Sequence, residues 1–438
     1  MAKTTLFNLG LKIEAVLLWL SVFLLPWQLR HTIFFASVNG GYFEYGSWHV
    51  YVTDIVILML LVVGVLVSGR RVLQPLAPAI GLPLLMMLLW MTITIFWATD
   101  KSVALVNVIH WWLFYSWCVY LVNRVKRIEQ ILWPLVVGTV FQAGWGTAQY
   151  IVNHSLGLNW LGESVLDPTK PGVSVVELAG FRHLRAYGLL PHPNMLGGIL
   201  VAGATSAVLL IKSQLARWQW VALWLGGMII SAGVALSFSR AAWLMLLVIL
   251  LAAGVVGAWQ KNGRKLMAVG LMLLTFMGVL ASQRQYVTVR FDLSASLERQ
   301  SVEERRLGFV EWRKIITQYS NQGVGLGNYT MALIKIEPNR EAWWYAPVHD
   351  IYLLMTGELG AFGMAVWIWL IVMLGKLVWT KRRKLAMWEA ATPLLVWLGL
   401  GLTDHWPFSL QQGQLLFFLA LALIILTSRS MIGGEQEA

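Results

Sequence analysis

Charge is scarce in this sequence: 12% of its 438 residues are Asp, Glu, Lys or Arg. A water-soluble domain of ordinary composition carries about 25%, so a soluble globular class is excluded. Cysteine is nearly absent. The one copy, Cys118, lies in an apolar run, which leaves no disulfide framework and no thiolate metal site. None of the eight histidines stands in an H-x-x-x-H spacing, and the acidic residues form no compact D-x-D pair. No catalytic zinc or other metal is therefore predicted, and no cofactor. No Gly-rich phosphate loop occurs in the short connections, so nothing there would cradle a nucleotide or nucleotide sugar. What the chain has in quantity is apolar surface. It is 58% hydrophobic and contains 25 tryptophans, a residue suited to anchoring at membrane interfaces. The mean hydropathy is +0.67.

A bilayer-spanning helix needs about 20 mostly apolar residues. Twelve such stretches lie near 11–29, 50–68, 77–97, 103–122, 130–151, 190–211, 218–236, 241–259, 265–282, 350–375, 388–403 and 411–428. The predicted fold class is all-α: a polytopic membrane protein of about 12 transmembrane helices, with a large extracytoplasmic loop that itself contains helices. Residues 1–282 would hold spans one to nine with a smaller outer loop near 152–189. Residues 283–349 would form the large periplasmic loop, and 350–438 the last three spans and a short cytoplasmic tail.

The connections alternate between two sides, and the charge separates with them. One side collects 18 of the 33 basic residues and 5 of the 21 acidic ones; Arg124, Lys212, Lys381, Glu14 and Glu437 are among them. The positive-inside rule makes that side cytoplasmic, with both termini inside. The formal charge of +12 is then a topology signal, and nucleic acid is not an expected partner. Any chemistry is expected on the opposite face, where the long loops lie.

Titratable groups gather at that face. The stretch Ala346-Pro-Val-His-Asp-Ile-Tyr352 opens the tenth span, and Glu358 follows two turns deeper. Asp350 is suited to cap the helix. His349 reads either as an interfacial bystander or as a general base, its imidazole titrating near neutrality. Glu358 is expected to fix the helix inside the bundle, because an intramembrane carboxyl is expensive and faces an interior or a cavity. Three other segments bring arginines: Arg240 in the tight turn Leu236-Ser-Phe-Ser-Arg240, Arg182 and Arg185 before Leu190-Pro-His-Pro-Asn194, and the doublet Arg305-Arg306. The last sits on a predicted amphipathic loop helix from Glu298 to Tyr319, followed by a Gly-rich turn at 323–327. Guanidinium groups bind phosphate through a planar fork, so these arginines either converge on a diphosphate or pair with Glu298, Glu303, Glu304 and lipid headgroups. His192 and Asn194, flanked by prolines, are expected to satisfy backbone groups that the prolines free.

The order of these motifs resembles the bacterial O-antigen ligase superfamily, which includes related polymerases and protein O-oligosaccharyltransferases. The resemblance rests on Ser239-Arg240, on Arg185 to Asn194, on the loop helix with Gly-Val-Gly-Leu-Gly-Asn at 323–328, and on His349 to Gly363. It covers about 180 residues. It implies a glycosyltransferase acting at the periplasmic face of the inner membrane, with an undecaprenyl-diphosphate-linked glycan as donor and lipid A-core or another glycan as acceptor. His349 would be the catalytic histidine. Arg240 and Arg306 would bind the donor diphosphate, with Arg306 preferred over Arg305 because a leucine follows it. The alternatives are a polymerase using the same donor, a protein O-oligosaccharyltransferase, or a transporter.

Overall fold

The computed structural model describes residues 2–211, 215–292, 294–319 and 321–436. Lys212 and Glu437, both counted in the charge asymmetry, lie outside the described residues. The chain opens with helix α1 (Ala2–Phe23) and continues into strands β1 (Arg30–Phe34), β2 (Ser37–Val38), β3 (Gly41–Tyr42) and β4 (Trp48–Tyr51). Helices α2 (Val52–Ser68), α3 (Pro78–Ile93), α4 (Lys101–Arg124) and α5 (Glu129–Val152) follow. A hairpin of β5 (Val175–Leu178) and β6 (Phe181–Leu184) leads to α6 (Pro193–Leu210), α7 (Arg217–Leu236), α8 (Arg240–Trp259) and α9 (Gly263–Ser282). The long loop holds α10 (Arg284–Val289), α11 (Ser296–Tyr319) and α12 (Tyr329–Ile336). The chain then returns through α13 (Ile351–Thr380), α14 (Leu385–Gly401), the short α15 (Trp406–Ser409) and α16 (Gln411–Gln436).

The molecule is an all-α polytopic membrane protein. Among the described residues, ten helices are long and apolar enough to cross a bilayer, and α14 is a shorter apolar helix of 17 residues. With α1 they account for the twelve expected positions. The first was expected to run to residue 29, but α1 ends at Phe23, ahead of Pro26, which has no N–H to continue the ladder. The centre belongs to α6 and α16, whose apolar windows are 89% and 83% buried, against 28% for α2 and α9. Helices that are apolar all round and enclosed by others are the core of such a bundle.

Two features were not read from the sequence. Residues 30–51 form antiparallel pairs β1–β4 and β2–β3, so the bundle carries a third substantial loop segment beside the two expected. Glu14 is not a free charge in the cytoplasmic tally, because it is buried and accepts from Tyr120 Oη at 2.7 Å and from Arg124 Nε and Nη2 at 2.8 and 2.7 Å.

The loop helix forms where its apolar spacing places it, α11 spanning Ser296–Tyr319. It lies on α13, with Trp312 Nε1 donating to Thr356 Oγ1 at 2.9 Å. After α11 the Gly-rich turn packs against α13 where that helix breaks at Gly360 (φ 68°). A Cβ on Gly323 would come within 2.3 Å of the Glu358 carbonyl oxygen, and one on Gly360 within 2.5 Å of the Asn321 carbonyl oxygen. Both positions therefore require glycine. Glu358 ties this joint together by accepting from the Gly327 N–H at 2.8 Å.

Candidate functional site

The Asp350 carboxylate opens α13, accepting from the Tyr352 and Leu353 N–H groups at 2.8 and 3.0 Å. This cap sets His349 just outside the helix, at the rim of a cleft of about 2050 Å³, counting its open mouth. The same cleft is lined by Arg182, Arg185, Arg240, Arg290 and Arg305, from four separate segments. Arg240 is placed by a tight turn. Phe238 takes a left-handed conformation (φ 49°), and Ser239 caps the helix that Arg240 begins. Arg290 locks that turn by donating its Nε to the Phe238 carbonyl at 3.2 Å.

The arginines divide into two kinds. Arg240 and Arg290 share a buried carboxylate, Glu298, which lies 3.3 Å from Arg240 Nη2 and also pairs with Arg290. Arg182, Arg185 and Arg305 form no ion pair among the described residues. Arg185 is 5% exposed and donates only to neutral oxygens, Ser237 O at 2.8 Å and Asn194 Oδ1 at 2.7 Å. Burial, followed by the charges of Arg290 and Arg240, pulls its pKa well below the usual arginine value. A buried guanidinium without a counter-charge is costly, and an anionic ligand would relieve it.

The arginine doublet is resolved by this geometry. Arg305 lines the cleft, whereas Arg306 is 66% exposed and forms an i,i+3 pair with Glu303 at 2.6 Å. The preference for Arg306 thus points away from the cleft: on a helix, adjacent residues diverge by about a quarter turn, and the leucine that follows says nothing about direction.

His349 Nδ1 is 3.5 Å from Asp404 Oδ1, at the outer limit of a hydrogen bond. Asp404 sits in the short connection between α14 and α15 and is 7% exposed. Its oxygens also accept from Asn194 Nδ2 at 3.1 Å and from the His405 N–H at 2.8 Å. Asn194 therefore bridges Arg185 to Asp404. His192 caps α6, its Nδ1 accepting from the Asn194 N–H at 3.1 Å.

Three imidazoles surround this carboxylate and differ in basicity. Burial lowers all of them. His192 falls to about 3, helped by Arg185, and His405 to about 4 despite the pull of Asp404. At His349 the Asp404 carboxylate outweighs burial and raises the pKa above its ordinary value. Burial also opposes the Asp404 charge, but His349 and then His405 hold its pKa far below the carboxylate range. His349 is the basic member of the trio.

Sequence reasoning missed Asp404, His405 and Arg290. The first two carried a signal: an Asp-His dipeptide in a short connection between apolar helices costs free energy that function can justify. Ligating atoms of His349, Asp404 and His405 lie within 4.8 Å of one another, close enough to share a cation. Both Asp404 oxygens already accept protein hydrogen bonds, and His405 Nδ1 lies 2.7 Å from Ser409 Oγ, so the trio reads more naturally as a hydrogen-bond network.

Residues 225–368 match a family model described as O-antigen ligase (Wzy_C). The matched segment includes Arg240, Arg290, Glu298, Arg305 and His349, whereas Arg185, Asn194 and Asp404 join the cleft from outside it. Members of this family are glycosyltransferase-like enzymes. No curated protein matches the chain.

Proposed function

We propose that the protein is a ligase-type glycosyltransferase. It would move a glycan from an undecaprenyl-diphosphate carrier to a hydroxyl of lipid A-core, at the periplasmic face of the inner membrane. The observation that carries this reading is the shared cleft: arginines lacking counter-ions line the same space as a histidine made basic by a buried aspartate. An anionic diphosphate suits the first feature and a hydroxyl proton the second.

In this mechanism Asp404 faces His349 Nδ1 and favours the proton there, leaving Nε2 to accept. The acceptor O–H gives its proton to Nε2 as its oxygen forms a bond to the anomeric carbon. The bond from that carbon to the phosphate oxygen breaks, and the lipid diphosphate leaves with the electron pair. Arg240, Arg290, Arg185 and Arg305 stabilise the charge developing on the leaving group, which preorganised donors do without reorganising. The Asp404 carboxylate stabilises the imidazolium until its proton is released. Neither a nucleotide nor a metal enters the balance.

The test is transfer in a reconstituted membrane with purified lipid-linked glycan, offering lipid A-core and a second lipid-linked repeat as rival acceptors. Transfer to lipid A-core that His349→Ala abolishes supports the reading. Transfer only to the second repeat would make the protein a polymerase, and full activity in His349→Ala would remove the general base from the scheme.

A further inference from the structure

Near His405, against Tyr45 and Ser409, lies a second cleft of about 810 Å³, counting its mouth. Six parts of the chain build it: the β1–β4 segment, α4, the start of α12, α13, α15 and the start of α16. Among the described residues no arginine or lysine lines it. Its wall carries carboxylates, amides, hydroxyls and imidazoles, with aromatic faces from Tyr45, Tyr51 and Phe408.

Three of its lining side chains hold buried polar atoms without a hydrogen-bond partner: His49 Nε2, Thr330 Oγ1 and Gln411 Oε1. The other functional atoms of two of these residues are engaged. His49 Nδ1 lies 3.0 Å from Thr32 Oγ1, and Gln411 Nε2 donates to Asp54 Oδ1 at 3.1 Å. Glu44 Oε1 is 3.6 Å from His49 Nε2, too far for a hydrogen bond. Buried polar atoms are nearly always satisfied, and a cluster of exceptions around one cleft marks the place of a missing partner.

The chemistry of the missing partner follows from the wall. Without cationic side chains, an anion such as a phosphate is disfavoured. Glu44 is already paired with Arg30, and Glu358 already accepts from the Gly327 N–H, so no bare acidic cluster awaits a cation. A neutral polyol, which both donates and accepts and has apolar C–H faces for the aromatic rings, fits all of these features.

We propose that this second cleft binds a neutral sugar unit of the acceptor glycan, next to the unit that reacts. The proposal rests on the glycosyltransferase reading above. Ring centroids step 5.4 Å from His349 to His405 and 5.9 Å from His405 to Tyr45, so a sugar held against Tyr45 lies beyond the reacting hydroxyl. The His405 ring is held with Ser409 Oγ 2.7 Å from Nδ1 and Tyr45 Oη 3.5 Å from Nε2.

Binding can be measured apart from catalysis. The probes are lipid-free, dephosphorylated oligosaccharides, one of core type and one of repeat-unit type, titrated against the full chain in nanodiscs by saturation-transfer NMR and calorimetry. One of them is expected to bind wild type and His349→Ala equally. Thr330→Val and His49→Phe should each weaken that binding about three- to tenfold, as loss of one hydrogen bond to a neutral ligand does. Thr330→Val removes an unpartnered hydroxyl, so its melting temperature should not fall, which separates lost binding from lost folding. In turnover the same variants should raise acceptor KM by a similar factor and leave donor KM unchanged. No binding by either probe, binding indifferent to Thr330→Val and His49→Phe, or binding displaced by inorganic pyrophosphate would overturn the assignment. An active His349→Ala would sink the catalytic reading alone, because the binding arm is read without turnover.

Discussion

The two clefts near His405 are built from different elements and differ in charge. Among the described residues, five arginines line the cleft that holds His349, and no arginine or lysine lines the other. Both contain buried polar atoms that the protein leaves unsatisfied, but the unmet need differs. On one side it is a counter-charge, as at Arg185; on the other it is a neutral hydrogen-bond partner, as at Thr330. A transferase that joins a charged donor to an uncharged hydroxyl benefits from this division, because guanidinium groups near the acceptor unit would compete for the diphosphate. In the proposed reading, charge placement would steer each substrate to its own side as well as hold it.

The largest effect is expected from the histidine of the charged cleft. His349→Ala is expected to lower kcat by about 10²–10⁴-fold, the usual contribution of a positioned base, with donor binding by filter or calorimetric assay unchanged. Next comes the charged side itself. Arg240→Ala should cost about 10²–10³-fold in kcat, as loss of one preorganised donor to a developing anion does. Arg240→Lys should recover only part of this, because a point charge lacks the planar fork.

Asp404→Asn tests the link between carboxylate and base. His349 titrates above its ordinary value because Asp404 outweighs burial. The unprotonated, active imidazole grows as pH rises through that pKa, so wild-type activity should fall on the acid side. Removing the carboxylate leaves burial to act alone and lowers the pKa. The acid limb of the pH–rate profile should move to lower pH while the maximal rate drops about tenfold or more. An unmoved limb would mean that another group sets it.

The smallest contrast lies within one dipeptide. Arg305→Ala is expected to raise donor KM about tenfold, and Arg306→Ala to change it less than about twofold, since an exposed i,i+3 ion pair contributes little. The reverse result would show that α11 turns on binding its donor.

Several elements were legible before any coordinates. The membrane class followed from apolar runs of spanning length, because a backbone in lipid must satisfy its own hydrogen bonds. The Asp350 cap and the span of α11 followed from local rules, each depending on residues a few positions apart. The β1–β4 segment did not, because two short hairpins braced on a helical bundle leave no long periodic pattern. Nor did the direction of Arg306, which depends on how α11 is rotated against α13. Asp404 is 55 positions from His349 in the chain and belongs to its site only through the meeting of α14 with α13 and α6.

Local sequence alone determined which segments enter the membrane, where the loop helix lies and that His349 stands at a boundary, because hydropathy and capping act over one or two turns. Tertiary structure decided which charges meet: Asp404 on His349, Glu298 between two arginines, Arg185 without a counter-ion. Those pairings are energies between groups distant in the chain, and they exist only once the helices have packed and excluded water from between them.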